Sequence, residues 1–127
     1  MLKAENNEKQ SIENVRDFLF EICDLKTQKK LLESVSSVQM DGMPKGSARE
    51  ADARQMRYEY ICETLRVVNL TLSEMSSTER VIIRDVIDRR SDSEIVAQIG
   101  YSLSYYYHTM KKSALLHFAK LYPLAMF

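Results

Sequence analysis

Residues 91–122 read SDSEIVAQIGYSLSYYYHTMKKSALLHFAKLY, and this stretch decides the fold that we predict for the chain. Ser91 with Glu94 three residues later forms the capping-box pattern, which predicts that a helix starts here. Ile95, Val96 and Ile99 give that helix an apolar face. Gly100 should end it, because glycine adopts a left-handed backbone without steric cost.

A second helix should follow directly, with either Ser102 or Ser104 as its N-cap. Its spacing predicts one buried stripe, which comprises Leu103, Tyr107, Met110, Ala114, Phe118 and Leu121. The opposite face carries no acidic side chain and comprises Ser104, Tyr105, His108, Thr109, Lys111 and Lys112. One of Tyr105 and Tyr106 is expected to be exposed. A helix, a short glycine turn and a helix with a polar, basic face are typical of a helix-turn-helix unit.

The composition is that of one small helical domain, or of a small domain with a helical extension. The 127 residues include only three glycines and two prolines, which favours long helices over a turn-rich sheet protein. No apolar run approaches the roughly 20 residues that span a bilayer, and the first ten residues lack a signal-peptide core. Cys23 and Cys62 have no metal-ligand spacing, so we interpret them as reduced, packed thiols of a cytosolic protein.

The charges are unevenly distributed although the formal net charge is zero. Residues 1–75 contain 11 basic and 13 acidic groups, whereas residues 76–127 contain 7 basic and 5 acidic groups. No acidic side chain follows Glu94, while three lysines do. Because salt screens charges beyond about 8–10 Å, a local cationic face can still attract phosphate. The alternative is that these lysines only solvate a helix.

The N-terminal part predicts two long helices. Residues 1–10 should fray, Ser11 should cap the first helix, and residues 34–47 should form a loop that contains Gly42 and Pro44. Ser47 should open the second helix, which should end near residues 72–75. The apolar positions of the two helices are Ile12, Val15, Phe18, Leu19, Ile22 and Leu25 in the first, and Met56, Ile61, Leu65, Val68 and Leu72 in the second.

Ser76 and Glu79 form another capping box, which predicts a supporting helix behind the helix-turn-helix. Asp85 and Asp88 lie three residues apart beside arginines, so we expect an exposed, salt-bridged face. Arg89 and Arg90 should end this helix and complement its dipole. The predicted fold is therefore all-α, with an N-terminal helical part at residues 1–75 and a helix-turn-helix domain at residues 76–127.

Three stretches resemble the ArpU-like regulators of phages and integrated elements in Gram-positive bacteria. They are DGMPKGS at residues 41–47, IVAQIGYSLSYYY at residues 95–107 and KKSALLHFAKLYP at residues 111–123. Their order and spacing fit the family along nearly the whole chain. The resemblance implies a late-gene transcriptional activator whose C-terminal part is similar to the DNA-binding fourth region of sigma factors. The family commonly has a basic residue at the position of His108 and a small polar one at that of Tyr105.

We therefore expect a sequence-specific regulator that binds double-stranded DNA. The expected DNA-binding residues are Arg90, Ser102, Ser104, Tyr105, His108, Thr109, Lys111 and Lys112, with the lysines on phosphates. The N-terminal helices should dimerise or contact RNA polymerase, and the sequence leaves both open. A second hypothesis is a sigma-like adaptor or anti-activator that acts through protein contacts alone.

An enzyme is the least favoured interpretation. The chain has no nucleophile–base signature, no glycine-rich phosphate loop and no metal-ligand spacing. We therefore expect no cofactor and no metal, and His108 should be a solvent-facing contact rather than a ligand. His117 should be a partly covered surface residue, because Phe118 fits the buried stripe better. The expected location is the bacterial cytoplasm, at the nucleoid.

Overall fold

Five helices form the regular structure of the residues that the computed structural model describes, which are 2–39 and 48–127, with side chains from 7 to 35 and from 49 onward. They are α1 (Leu2–Gln39), α2 (Ala48–Ser73), α3 (Ser77–Ile87), α4 (Asp92–Ile99) and α5. Helix α5 is continuous over residues 103–121 and consists of an α-helical Leu103–Tyr105, a π-helical Tyr106–Met110 and an α-helical Lys111–Leu121. The described residues include no strand, so the predicted all-α class is confirmed.

Helix α1 is longer than predicted at both ends. It begins at Leu2, so the predicted start at Ser11 is wrong, and the Ser11 hydroxyl instead donates to the carbonyl of Phe127 at 3.0 Å. Residues 34–39 also belong to α1 rather than to the predicted loop. The rest of that loop, including the DGMPKGS motif and the predicted cap Ser47, lies outside the described residues.

The long helices pack through the faces that the sequence predicted, with one exception. Val15, Leu19, Ile22 and Leu25 of α1 are buried, and so are Ile61, Val68 and Leu72 of α2. Met56 is 69% exposed, contrary to the prediction. It lies five residues before Ile61, which turns it about 140° away from the buried stripe at 3.6 residues per turn.

Helix α3 connects the N-terminal helices to the helix-turn-helix. Its predicted capping box is present, because Glu79 N–H donates to the Ser76 hydroxyl and Ser76 N–H donates to the Glu79 carboxylate. The helix buries Ile82, Ile83, Val86 and Ile87. One cluster of buried side chains runs from α1 through α3 to α5. Near the chain's end it becomes aromatic, with Phe18, Phe118, Tyr122 and Phe127 in mutual ring contact.

The charged residues at the end of α3 form the predicted exposed face with one exception. Arg84, Asp88, Arg89 and Arg90 are exposed. Asp85 is the exception, because it is only 6% exposed. Arg89 follows the helix with a φ of 59° and donates to the Phe20 carbonyl at 3.2 Å and to Asp24 at 3.4 Å. The turn after α3 is thus attached to α1 by a contact 65 residues away along the chain.

Candidate nucleic-acid interface

Local hydrogen bonds define the first helix of the helix-turn-helix. Glu94 N–H donates to the Ser91 hydroxyl at 3.3 Å, which confirms the predicted N-cap. The Glu94 carboxylate accepts from this hydroxyl at 3.2 Å rather than from the Ser91 backbone N–H, so only half of the predicted capping box is present. Gly100 ends the helix at φ 80°, the left-handed conformation that the sequence predicted. Any side chain at this position would be strained, even though the space around a Cβ is open.

The second helix of the unit begins after a turn of three residues. Of the two candidate caps, Ser102 is the one used, since Tyr105 N–H donates to its hydroxyl at 3.2 Å. Tyr101 precedes the cap and lies exposed, with its ring centroid 5.7 Å from that of Tyr105. The turn therefore brings two tyrosine rings together at the start of α5.

A π-helical segment changes which residues of α5 face the core. Lys111 N–H donates to the carbonyl of Tyr106, five residues earlier, so this turn is wider by one residue. As a result Tyr106 is fully buried, whereas Tyr107 is 51% exposed. The prediction that Tyr107 lies in the core is wrong, because an α-helical spacing does not allow for the extra residue. Leu103 and Leu121 were also predicted as core and are exposed, at 49% and 37%.

The inward side of α5 contains two buried polar groups. Among the described residues, neither the Tyr106 hydroxyl nor Oδ2 of Asp85 has a hydrogen-bond partner. Burial raises the pKa of Tyr106, and the charges of Asp92 and Asp85 raise it further. Burial also raises the pKa of Asp85, against the effect of Arg90, whose Nε lies 3.7 Å from Oδ1. The phenol is therefore neutral beneath the outer face.

The outward side of α5 presents most of the predicted contact residues to solvent. The exposed ones on this helix are Ser104, Tyr105, His108, Thr109 and Lys112. The His108 ring stands edge-on to Tyr107 at 5.3 Å, and its exposure agrees with the prediction. Ser102 and Arg90 are exposed too, although Arg90 forms an ion pair with Asp85. Within the part of the chain that the structure describes, this face is therefore open to a partner.

Lys111 differs from the rest of the predicted set. Its Nζ lies 2.9 Å from Asp92 Oδ1 and 5.9 Å from the Tyr107 ring centroid, and its side chain is only 19% exposed. Sequence reasoning missed this ion pair, because the two residues are 19 positions apart and meet only when α4 packs on α5. Lys112 has no ion pair in the part of the chain that the structure describes, so it is the more accessible cation.

The turn region also exposes apolar surface, of which Leu103 and Tyr107 were predicted as core. Tyr101, Leu103, Tyr105 and Tyr107 are each about half exposed. The signal for this surface was present in the run GYSLSYYY, where large apolar side chains are too densely spaced for one helical face to bury them all.

His117 lies away from this face, on the side of α5 that meets α3. Its Nδ1 is 2.8 Å from a carboxylate oxygen of Glu79, and its side chain is 39% exposed, as expected for a partly covered surface residue.

A second concave region lies between α1, α2 and α3. It is a groove of about 520 Å³ whose apolar lining includes Leu65 and Leu72. Four basic residues line it, Lys26, Lys29, Lys30 and Arg84, together with the acidic residues Glu33 and Asp88. Lys29 lies 3.7 Å from Glu33. No residue of α4 or α5 lines this groove, so it is separate from the outward face of α5.

Three further findings bear on the kind of site. Within residues 7–35 and 49–127, no three His, Cys, Asp or Glu side chains are grouped so that they could hold a metal ion. No helix in the described ranges combines the length and the apolar character required to cross a membrane. A comparison with family models, with curated proteins and with solved structures found no match to this chain.

Proposed function

We propose that the protein is a sequence-specific DNA-binding transcriptional regulator, an activator of late genes in a phage or integrated element, rather than an enzyme. The observation that carries this proposal is the open outward face of α5. The helix follows a turn that ends in a capping serine. The side chains of this face are polar, aromatic or basic, and no acidic residue occurs after Glu94. The resemblance to ArpU-like regulators supports the same function.

In this proposal α5 lies in the major groove, and the preceding helix α4 crosses the backbone. Ser104, Tyr105, His108 and Thr109 face base edges, because they are exposed on the first turns of α5. Lys112 binds a phosphate and sets the register of the helix. Ser102 and Arg90 are exposed as well and contribute further phosphate contacts.

Lys111 takes a smaller part than its sequence position suggests. Its ammonium group is already paired with Asp92, so a phosphate would have to compete with a carboxylate at 2.9 Å. We therefore assign Lys111 mainly to the packing of α4 against α5, and Lys112 to the duplex.

The salt dependence of binding tests these assignments. A duplex pool enriched from random sequence by the full chain is titrated by fluorescence anisotropy at several salt concentrations. Lys112→Ala should lower the slope of log affinity against log salt by about one, because one phosphate contact is lost. Lys111→Ala should lower it by much less. Lys120→Ala removes an exposed lysine from the far end of α5 and serves as the charge-matched control.

An unchanged slope for Lys112→Ala, or an equal fall for Lys120→Ala, would remove the assigned interface. Failure of the chain to enrich any duplex would remove the DNA-binding proposal as a whole.

Activation also requires a protein contact, and the N-terminal helices are the available surface. A homodimer would read half-sites about one helical turn, roughly 10 base pairs, apart. Contact with bacterial RNA polymerase is the other route by which the same helices would activate. Either way the protein acts at the nucleoid, in the bacterial cytoplasm.

The groove between α1, α2 and α3 favours a second candidate function, a sigma-like adaptor or anti-activator that acts by protein contacts. Its charged lining is four basic residues against the two acidic residues Glu33 and Asp88, and this basic excess suits an acidic segment of a regulator or of RNA polymerase. DNA-independent binding of purified polymerase, together with no retarded duplex, would favour this function. Lys30→Glu should then abolish polymerase binding, while Lys112→Glu should leave it unchanged.

A further inference from the structure

The first two turns of α5 and the residues before them present an unusual chemistry for a surface that reads bases. Tyr101, Leu103 and Tyr105 are each about half exposed and surround the capping residue Ser102. The Tyr101 and Tyr105 rings lie with their centroids 5.7 Å apart and an interplanar angle of 33°. We refer to Tyr101, Leu103 and Tyr105 as the apolar tip.

The side chains that usually read three of the four bases are missing from this stretch. Arginine and lysine read guanine, asparagine and glutamine read adenine, and glutamate and aspartate accept from cytosine. Residues 99–110 contain none of these six residue types. Lys111 and Lys112 follow. The Nζ of Lys111 is paired with Asp92 at 2.9 Å, and the exposed Lys112 is assigned to a phosphate.

The apolar group that the major groove offers is the C5 methyl of thymine. An exposed leucine and two tyrosine rings at the start of a recognition helix can cover such methyl groups, while the tyrosine hydroxyls stay in water or reach phosphates. Ser104 and His108 are neighbours of the tip along α5. Each can donate or accept a hydrogen bond, so neither selects a base other than thymine.

We propose that the apolar tip recognises consecutive thymines through their C5 methyl groups, so that the half-site of this protein contains a thymine run. This inference rests on the proposed DNA-binding function. It goes further by assigning the base, the chemical group on that base and the residues that contact it.

The test begins with a random-sequence duplex pool, from which the full chain enriches its own sites. The enriched sites should contain a thymine run on one strand. Each thymine of the run is then replaced by deoxyuridine, which removes only the methyl group and keeps the base pair. Affinity should fall about fourfold per methyl that the tip covers, the value of one buried CH2 group.

The variants Tyr105→Ser and Leu103→Ala connect this loss to the apolar tip. Both side chains are half exposed, so the helical circular dichroism of each variant should match that of the parent chain. Each variant should bind the thymine and the deoxyuridine duplex with more nearly equal affinity. Tyr60→Ser is the matched control, because Tyr60 is similarly exposed on α2 and far from the turn along the chain. It should keep the full deoxyuridine effect.

The outcomes distinguish a failure of DNA binding from a failure of thymine recognition. No enrichment at all would overturn DNA binding itself. Enriched sites built on G·C pairs, or thymine sites that tolerate deoxyuridine without loss, would overturn thymine recognition and leave DNA binding standing. A deoxyuridine effect that persists undiminished in both tip variants would overturn the assignment to Tyr105 and Leu103.

Discussion

The inward and outward faces of α5 belong to the same helix but are held in place differently. Leu115 and Phe118 on the inward face are buried in the part of α5 that contacts α1 and α3, and Tyr106 is buried in the π-helical part that contacts α4. Phe118 stacks on Tyr122 at 5.3 Å. His108 and Thr109 on the outward face are exposed. The inward residues are therefore fixed by packing, whereas the identity of the outward residues has little consequence for the fold and is open to selection by a partner.

The largest effect should come from the centre of the inward face. Phe118→Ala leaves a cavity in the aromatic cluster with Phe18, Tyr122 and Phe127, and should lower the free energy of unfolding by about 3–5 kcal/mol. Thr109→Ala, on the outward face of the same helix, should change it by less than about 0.5 kcal/mol. Urea denaturation measures both. Similar losses for the two variants would mean that the faces do not differ as described.

The turn that sets the two helices at their angle should give an intermediate effect. Gly100→Ala forces a Cβ into a left-handed backbone at φ 80°, which should cost about 1–2 kcal/mol of stability. Gly100→Asn should cost less, because asparagine tolerates this conformation better than alanine. Thermal denaturation of the pair checks the order. Equal stability of the two variants would mean that α4 can end here without a left-handed residue at position 100.

The smallest effect should be a pH dependence of stability caused by Asp85. Burial raises the pKa of Asp85 above its ordinary value, so the folded state favours the protonated form. The favourable contribution of the protonated Asp85 to the free energy of unfolding is present below the ordinary pKa of 3.8. It is lost as pH rises through the higher pKa of the folded state. Asp85→Asn removes this ionisation, so the parent chain should lose stability relative to the variant as pH rises from 3.5 to neutral. Urea midpoints across that range measure the difference, and a constant difference would contradict the burial of Asp85.

Much of the candidate interface could be predicted from the sequence, because its elements are defined by neighbours along the chain. The caps at Ser76 and Ser91 and the left-handed Gly100 each depend on contacts within four residues, and the same kind of contact limited the cap of α5 to Ser102 or Ser104. The exposure of His108 followed from the same local pattern.

What the sequence by itself determined is thus the order of helices, their capped ends in the C-terminal part and the polar character of the outward face of α5. Only the tertiary structure decided that Tyr106 rather than Tyr107 is buried, that Lys111 is paired with Asp92, and that Asp85 lies inside. The reason is physical: caps and turns are short-range hydrogen bonds, whereas a helix phase shifted by a π turn and an ion pair across two helices are selected by packing between distant segments.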